Sequence, residues 1–209
     1  MMLETPIAEK SSEPAKDAGH IVASLSPPLV PSGRFRVREY LPTDAATICS
    51  WVQDSETLKI ISGNDAESLS PEILAEWNTT AVISLVAFEV STSKPVGYCT
   101  LSSADNPQLP PLHIELCHLI VAPTTRHISV GSQLCDTAES VGIERGFIAG
   151  CARVLPTNLF ALKLAMLKCG EEITGKEAWA TPGFRWFRKI PRQQNPAANT
   201  NQQLPQHDN

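Results

Sequence analysis

Residues Leu112–Leu134 read LHIELCHLIVAPTTRHISVGSQL, and they contain the most informative pattern in the sequence. Its apolar first half has the length and composition of a β-strand, which Pro123 interrupts. A helix with a buried apolar stripe is predicted from about Val130 to Arg145. The sequence therefore predicts a strand joined to a helix by a short loop that contains one cation, Arg126.

The loop and the start of the helix have the properties of an anion site. The first N–H groups of a helix lack intrahelical partners and lie at the positive end of its dipole. Ser129, Gly131 and Ser132 are small, and Arg126 adds a charge suited to phosphate oxygens. The pattern is consistent with a pyrophosphate cradle, and it is equally consistent with an ordinary strand-to-helix connection.

The remaining segments predict one mixed sheet with helices on both faces, an α/β (α+β) fold. Strands are predicted at 34–40, 81–90, 95–103, 112–122, 147–154 and 185–190. Besides the helix described above, helices are predicted from Thr43 through Gln53 and from Ser70-Pro71 onward. A last helix is predicted to be capped by Thr157 and ended by Gly170, with the apolar stripe Leu159, Leu162, Met166 and Cys169.

Length and charge limit the class of protein. The chain has 209 residues and a net charge of −5. One globular domain fits this length, since domains usually contain roughly 100–200 residues. The acidic balance argues against a nucleic-acid partner, because such proteins usually carry a basic face. No apolar run approaches the ~18 residues of a membrane helix, so no membrane association is expected.

Composition also predicts the domain boundaries and the compartment. Residues 1–33 and 191–209 are rich in polar residues and proline and are predicted to be disordered tails around a folded domain at 34–190. The six cysteines form no CxxC pair, and their spacing is typical of neither a disulfide framework nor a metal site. A reducing compartment, most simply the cytoplasm, is expected.

In order and spacing, these segments resemble the GNAT superfamily of N-acetyltransferases. The acetyl-CoA loop of that family reads R/Q-x-x-G-x-G/A between a strand and a helix, and this chain has Arg126-His127-Ile128-Ser129-Val130-Gly131. Further matches are Pro123 before the loop, the acidic Glu115 in the preceding strand, and Ala138, Gly146, Asn158, Ala161 and Gly170. The chain departs from the family at Ser129, where a glycine is usual, and at Met166, where many members have a tyrosine acid.

The resemblance implies a splayed, mostly antiparallel mixed sheet and transfer of an acetyl group from acetyl-CoA to a primary amine within a ternary complex. It implies that the cofactor pyrophosphate lies on Arg126, His127, Ile128, Ser129, Val130, Gly131 and Ser132. The pantetheine would then pair with the backbone of Leu119, Ile120 and Val121. Asn158 would line the cofactor or cap the last helix, and the protein would be a monomer or a homodimer.

The resemblance makes Glu115 the first candidate for a base, acting directly or through water. An ion pair in the sheet is the alternative interpretation for this carboxylate. His113 is the second candidate, because the alternation of a strand places it on the face of Glu115. By the same alternation His118 lies on the opposite face, where a hydrogen-bonded core residue is expected.

Two other interpretations stay open at this point. Ser129 and Met166 allow a catalytically weak module that binds an acyl-CoA and serves as a regulatory or scaffold domain. A chance family match would leave a cradle for another phosphate ligand.

Overall fold

Seven strands form one sheet in a computed structural model, which describes residues 33–103, 109–177 and 183–191. The strands are β1 Phe35–Glu39, β2 Ile83–Glu89, β3 Pro95–Ser102, β4 His113–Val121, β5 Ala149–Val154, β6 Glu171–Glu172 and β7 Arg185–Lys189. The helices are α1 Ala45–Cys49, α2 Ser55–Ser62, α3 Pro71–Thr80, α4 Val130–Glu144 and α5 Leu159–Lys168. The predicted tails lie outside the described residues, apart from Gly33 and Pro191.

The sheet has the order β1-β2-β3-β4-β5-β7-β6, and every pair of neighbours is antiparallel except β4 and β5. The parallel pair is short, because β4 pairs with β5 only over His113–Glu115. From Leu116 onward the two strands have no ladder between them, so the sheet is splayed at its centre. The predicted mixed, mostly antiparallel and splayed sheet is confirmed.

A β-bulge in β4 changes which side chains face which helices. The pairing with β3 shifts between Tyr98 and Thr100, and His118 has a left-handed φ of 52°. On the α4 side of the sheet lie residues from before and after the bulge, Ile114, Leu116, Leu119 and Val121. Because one residue is inserted, His118 and Ile120 face the side covered by α1–α3, as Glu115 does. The prediction that His118 lies on the face opposite Glu115 is therefore wrong.

The long helix α4 packs across the sheet as predicted. Its buried residues include the whole predicted stripe, Val130, Leu134, Ala138 and Val141. Its first turn approaches β3 closely at Gly97, where a Cβ atom would lie 2.7 Å from Val130 Cγ1 and 2.9 Å from Leu134 Cδ1. Glycine at this position thus sets how near the start of α4 lies to the sheet.

The predicted first helix, from Thr43 through Gln53, is shorter in the structure, where α1 ends at Cys49. Gln53 Nε2 donates to the carbonyl of Cys49 at the end of α1, and Asp54 then caps a new helix by accepting from the backbone N–H of Thr57. The chain therefore forms α1 and a separate α2, which the sequence did not predict. A short 3-10 turn, Pro42–Asp44, precedes α1, so the predicted cap at Thr43 is also wrong.

The predicted stripe of α5 is only partly correct. Leu162 is buried, whereas Leu159 is 64% exposed and Met166 is 61% exposed. Ala165 occupies the buried face instead, and the N-terminal cap is Asn158 rather than Thr157. Because nearly every residue of LFALKLAMLK is apolar, no periodicity in the sequence defines the inner face of this helix.

Candidate functional site

A cavity of about 430 Å³ lies where β4 and β5 diverge. It reaches both faces of the sheet, because its lining includes residues of α2 on one side and of α4 and α5 on the other. On β4 the whole segment 114–119 lines it, and on β5 so does the segment 149–154. The charged groups of β4 and β5 in this lining are Glu115 and Arg153.

Glu115 lies at the junction where the two strands separate. Its side chain is 3% exposed, and its Oε1 is 3.1 Å from Nε of Arg153 on β5. The guanidinium also lies over the rings of Phe184 and Trp186, which fixes its position. Burial, and secondly the charge of Glu115, raise the pKa of the neighbouring Cys151 thiol to about 12. The buried carboxylate of Glu115 is therefore paired with a cation at the point where the two strands separate.

His118 lines the same cavity, half-buried, on the face of Glu115. Its Nδ1 is 2.9 Å from Oγ1 of Thr100 on β3. Its ring is stacked on the indole of Trp77, with centroids 4.0 Å apart and planes inclined by 6°. Neighbours on β3 and α3 thus hold the imidazole in one orientation.

His113 lies elsewhere. It is the first residue of β4, its Nδ1 is 3.2 Å from the carbonyl oxygen of Pro111, and it is not among the residues that line the cavity. His113 therefore lies at the start of β4, outside the cavity that Glu115 lines.

The predicted anion loop follows β4 directly. After a 3-10 turn at Pro123–Thr125, His127 and Ser129 both adopt a left-handed φ of 68°. Ser129 precedes α4, but its side chain makes no capping hydrogen bond and contacts the carbonyl of Ile128 instead. The first bond of the helix runs from the N–H of Gln133 to the carbonyl of Ser129, so the N–H groups at 130–132 precede the helical ladder.

Arg126 is exposed and lies at the entrance to this loop, where its Nε donates to the carbonyl of Val121 at 3.4 Å. Gly131 allows close packing as well as the approach of an anion to the helix, because a Cβ atom there would lie 3.3 Å from Leu164 Cδ2 and 3.6 Å from Val121 Cγ2. The loop residues 126–132 do not line the cavity, but Cys135, one turn further along α4, does. The loop and the cavity are therefore neighbours along one helix.

Of the other predicted cofactor residues, Leu119 and Asn158 line the cavity. Asn158 also caps α5, since its Oδ1 accepts from the N–H of Ala161 at 3.1 Å. The side chain of Ile120 is buried against α1–α3, so this residue can offer only its backbone to a ligand in the cavity. Met166, where many GNAT members have a tyrosine, is exposed on the outside of α5.

Comparison with known families decides the class of the protein. A model of the acetyltransferase (GNAT) family matches residues 46–170. The chain belongs to the GNAT acetyltransferase family. The matched range includes the splayed strands, the loop after β4, and the helices α4 and α5. No significant match was found among curated proteins.

Solved structures of GNAT proteins share the fold. The PaiA N-acetyltransferase from Thermoplasma acidophilum in complex with coenzyme A has a TM-score of 0.58 at 16% identity, covering 75% of this chain and 99% of its own. The GNAT domain of S. lividans PAT has a TM-score of 0.59 at 18% identity, with coverages of 75% and 90%. A GCN5-related N-acetyltransferase from Kribbella flavida has a TM-score of 0.56 at 19% identity, with coverages of 76% and 98%.

Sequence analysis missed three parts of the site. Arg153 could have been found, because a lone cation on the strand parallel to Glu115 is a natural ion-pair partner. His118 was assigned to the wrong face, since a bulge leaves no mark in the apolar alternation. The segment 59–63 at the end of α2 lines the cavity, but α2 itself was not predicted.

In the part of the chain that the structure describes, no helix is long and apolar enough to span a bilayer.

Proposed function

We propose that the protein transfers an acetyl group from acetyl-CoA to a primary amine by direct transfer in a ternary complex. The observation that carries the proposal is the splay between β4 and β5, which begins just after the buried Glu115 and extends toward the loop before α4. A family member of known structure holds coenzyme A, which supports the same ligand here. Acetyl-CoA supplies the activated thioester, and the protein supplies binding, orientation and proton transfer.

The loop after β4 is the proposed pyrophosphate site. Arg126 is exposed beside the end of β4, and the N–H groups at 130–132 lie at the positive end of the α4 dipole. The backbone of Leu119, Ile120 and Val121 lies beyond the ladder with β5, so a pantetheine arm can pair with β4 there. In this proposal His127, Ile128 and Ser129 border the phosphates, and Asn158 borders the arm.

The amine is proposed to enter from the α1–α3 side, opposite α4. That side of β4 carries Glu115 and His118, whereas the β4 side chains that face α4 are the apolar Ile114, Leu116 and Leu119. The amine must be neutral to attack, and Glu115 can accept its proton through water. The net charge of −5 attracts cationic acceptors such as polyamines, aminoglycosides or basic peptides.

Met166, which is exposed on the outside of α5, cannot donate a proton to the leaving thiolate as the tyrosine of many GNAT members can. A thiol of ordinary pKa, about 8.5, is a fair leaving group without such an acid. Ser129 and Met166 are the observations that favour the second candidate function, a module that binds an acyl-CoA without turnover.

Turnover by the Glu115→Gln variant separates the two functions. For an enzyme we expect kcat to fall by roughly 10²-fold or more, because amide replaces a proton-accepting carboxylate, while the affinity for acetyl-CoA is kept. Thiol release with spermidine, an aminoglycoside and a basic peptide measures the rate. Glu76→Gln on the exposed face of α3 is the matched control and should leave turnover unchanged. A wild-type protein that binds acetyl-CoA and acetylates none of these amines would contradict the enzyme and favour the module.

A further inference from the structure

We propose that the cavity at the splay continues, on the α4 and α5 side of the sheet, into a channel for the acyl chain of the donor. The donors are then linear acyl-CoA thioesters of up to about six carbons, with acetyl-CoA as the smallest member of the class. This inference rests on the proposed function, because the thioester lies at the same junction of β4 and β5, and it names the class of donor.

The first argument is the extent of the cavity. In the proposed function the pantetheine pairs with β4 at residues 119–121, so the thioester reaches the point where the strands part, just after Glu115. The cavity continues beyond that point. Ile114 and Gly150, which are partners in the parallel ladder, also line it. Space therefore extends past the thioester, away from the loop before α4.

Gly150 and Ala152 form the floor of this space on β5. Ala152 lies opposite Phe187 of β7, which packs with Leu162 and Ala165 of α5. Because residues two apart in a strand point to the same face, Gly150 also faces the helices α4 and α5. A Cβ atom built on Gly150 would meet no described atom within 4 Å beyond its chain neighbours. The floor is therefore open where a side chain would otherwise cover it.

The two helices flank this space. α4 packs onto β4, where a Cβ atom at Gly142 would lie 3.7 Å from Ile114 Cγ2. α5 packs instead onto β5 and β7, through a cluster that contains Val154 and Phe187. The open floor at Gly150 thus lies between the two helices.

Two ion pairs cross above this floor. Lys168 of α5 reaches Asp136 of α4 at 2.7 Å. Lys189 of β7 forms an ion pair with Glu139 of α4. Since Lys189 pairs with Gly150 in the sheet, its side chain passes over β5 to reach α4. All four charged residues line the cavity, so a chain can lie between the sheet and these ion pairs, shielded from water.

The walls between the floor and the ion pairs carry small apolar groups. Cys135 and Ala138 line the cavity from α4, and Ala165 and Cys169 line it from the α5 side. Burial raises the pKa of Cys135 to about 12 and that of Cys169 to about 11, so both thiols are protonated near neutrality. A neutral buried thiol behaves as a small hydrophobic group. These walls therefore favour methylene groups over a polar chain.

The length of the channel fits a short chain. From Leu116, where the thioester is placed, to Ile114 the strand rises about 7 Å, at ~3.3 Å per residue. An extended chain of six carbons is about 6 Å long, given bonds of about 1.5 Å. A hexanoyl group matches this distance, whereas an acetyl group covers only its first part. The amine enters from the α1–α3 side, so the chain and the acceptor lie on opposite faces of the sheet.

Transfer of a longer acyl group balances as it does for acetyl. The amine nitrogen forms a bond to the thioester carbonyl carbon, and the C–S bond breaks. The proton that leaves nitrogen balances the one that the sulfur gains. The products are the N-acylated amine and free coenzyme A, and the chain beyond the carbonyl is unchanged.

The test compares the dissociation constants of hexanoyl-CoA and acetyl-CoA for the full chain by titration calorimetry. Each methylene group fully withdrawn from water tightens binding by about fourfold, and fixing a flexible chain offsets part of this gain. Hexanoyl-CoA has four more methylene groups, so we expect it to bind roughly 10- to 100-fold more tightly, with a more negative change in heat capacity. Equal dissociation constants would overturn the channel and leave the proposed function standing.

Gly150→Leu fills the channel and provides the sharper arm of the test. We expect the advantage of hexanoyl-CoA to be lost, while the affinity for acetyl-CoA stays the same because the acetyl group ends near the junction. Gly170→Leu is the matched control, since Gly170 is exposed, lies outside the cavity lining and also has open space at its Cβ position. A preference for hexanoyl-CoA that survives in Gly150→Leu would overturn the assignment.

Cys169→Leu covers the case in which Gly150→Leu does not fold. It narrows the channel from the α5 side, where Cys169 is half-buried, and should remove most of the preference with the affinity for acetyl-CoA kept. An unchanged preference in this variant would count against the channel in the same way.

Free hexanoate separates a donor chain from a free carboxylic acid with the same chain. Because it lacks the contacts of coenzyme A, we expect it to bind at least roughly 100-fold more weakly than hexanoyl-CoA. Hexanoate that binds as tightly as the thioester would overturn the assignment of the channel to the donor. A wild-type protein that binds neither thioester would overturn the proposed function and this inference together.

Discussion

Among the residues that the structure describes, two histidines adopt the left-handed backbone conformation, His118 in β4 and His127 in the loop before α4. The first is held by Thr100 and Trp77 inside a cavity. The second is exposed, and its ring lies 5.3 Å from that of Phe160 at an inclination of 55°. The same residue type in the same conformation is thus built into a site in one place and borders open solvent in the other. Surroundings, rather than backbone conformation, distinguish the two.

The two regions also differ in the contacts that hold their structure. The region of the bulge depends on a buried charge and on neighbours from β3, α3 and β5. The loop depends on its backbone conformation and on Arg126. We therefore expect substitutions near the bulge to cost more stability than substitutions in the loop.

The largest effect is expected for Arg153→Met. It would leave the Glu115 carboxylate buried without its cation, which costs about 3–5 kcal/mol of unfolding free energy. Arg185→Met on the adjacent strand is the matched control, because its partner Glu172 is 39% exposed whereas Glu115 is 3% exposed. Urea unfolding should show a clearly smaller loss for the control, because exposed ion pairs contribute little to stability. Equal losses of unfolding free energy in the two variants would mean that the burial of Glu115 does not make its ion pair more important for stability.

A smaller effect of opposite sign is expected for Ser129→Gly. The left-handed conformation costs an L-residue about 1–2 kcal/mol, and glycine loses about 0.5–1 kcal/mol of that gain through chain entropy. The variant should therefore be about 0.5–1 kcal/mol more stable in urea. Ser132→Gly, within the first turn of α4, should instead lower the stability. A less stable Ser129→Gly protein would show that the serine makes a compensating contact and that the loop is not strained.

The fold followed from the sequence wherever one face of an element is apolar. The stripe of α4, the strands β2 and β3, and the start of α3 after Ser70 all match the predictions, because periodicity and helix-start signals are local properties. The inner face of α5 did not follow, since that helix is apolar all round.

The site was predictable only in part. Glu115 stood out as an acid in an apolar strand, and the structure places it at the strand junction. The face on which His118 lies was not predictable, because it depends on an inserted residue that is visible only in the pairing of β4 with β3. The ion pair with Arg153 joins two strands that are distant in the sequence, and the lone cation of the predicted strand 147–154 was its signal.

Thermal unfolding with and without acetyl-CoA tests most directly whether the splayed strands and the loop after β4 form one cofactor site. At 100 times its dissociation constant the ligand should add about 2.7 kcal/mol to the wild-type protein. Arg126→Ala should lose most of this gain at the same concentration, while Arg36→Ala on the exposed face of β1 should keep it. No stabilisation of the wild type at millimolar acetyl-CoA, or an equal gain in Arg126→Ala, would contradict the account.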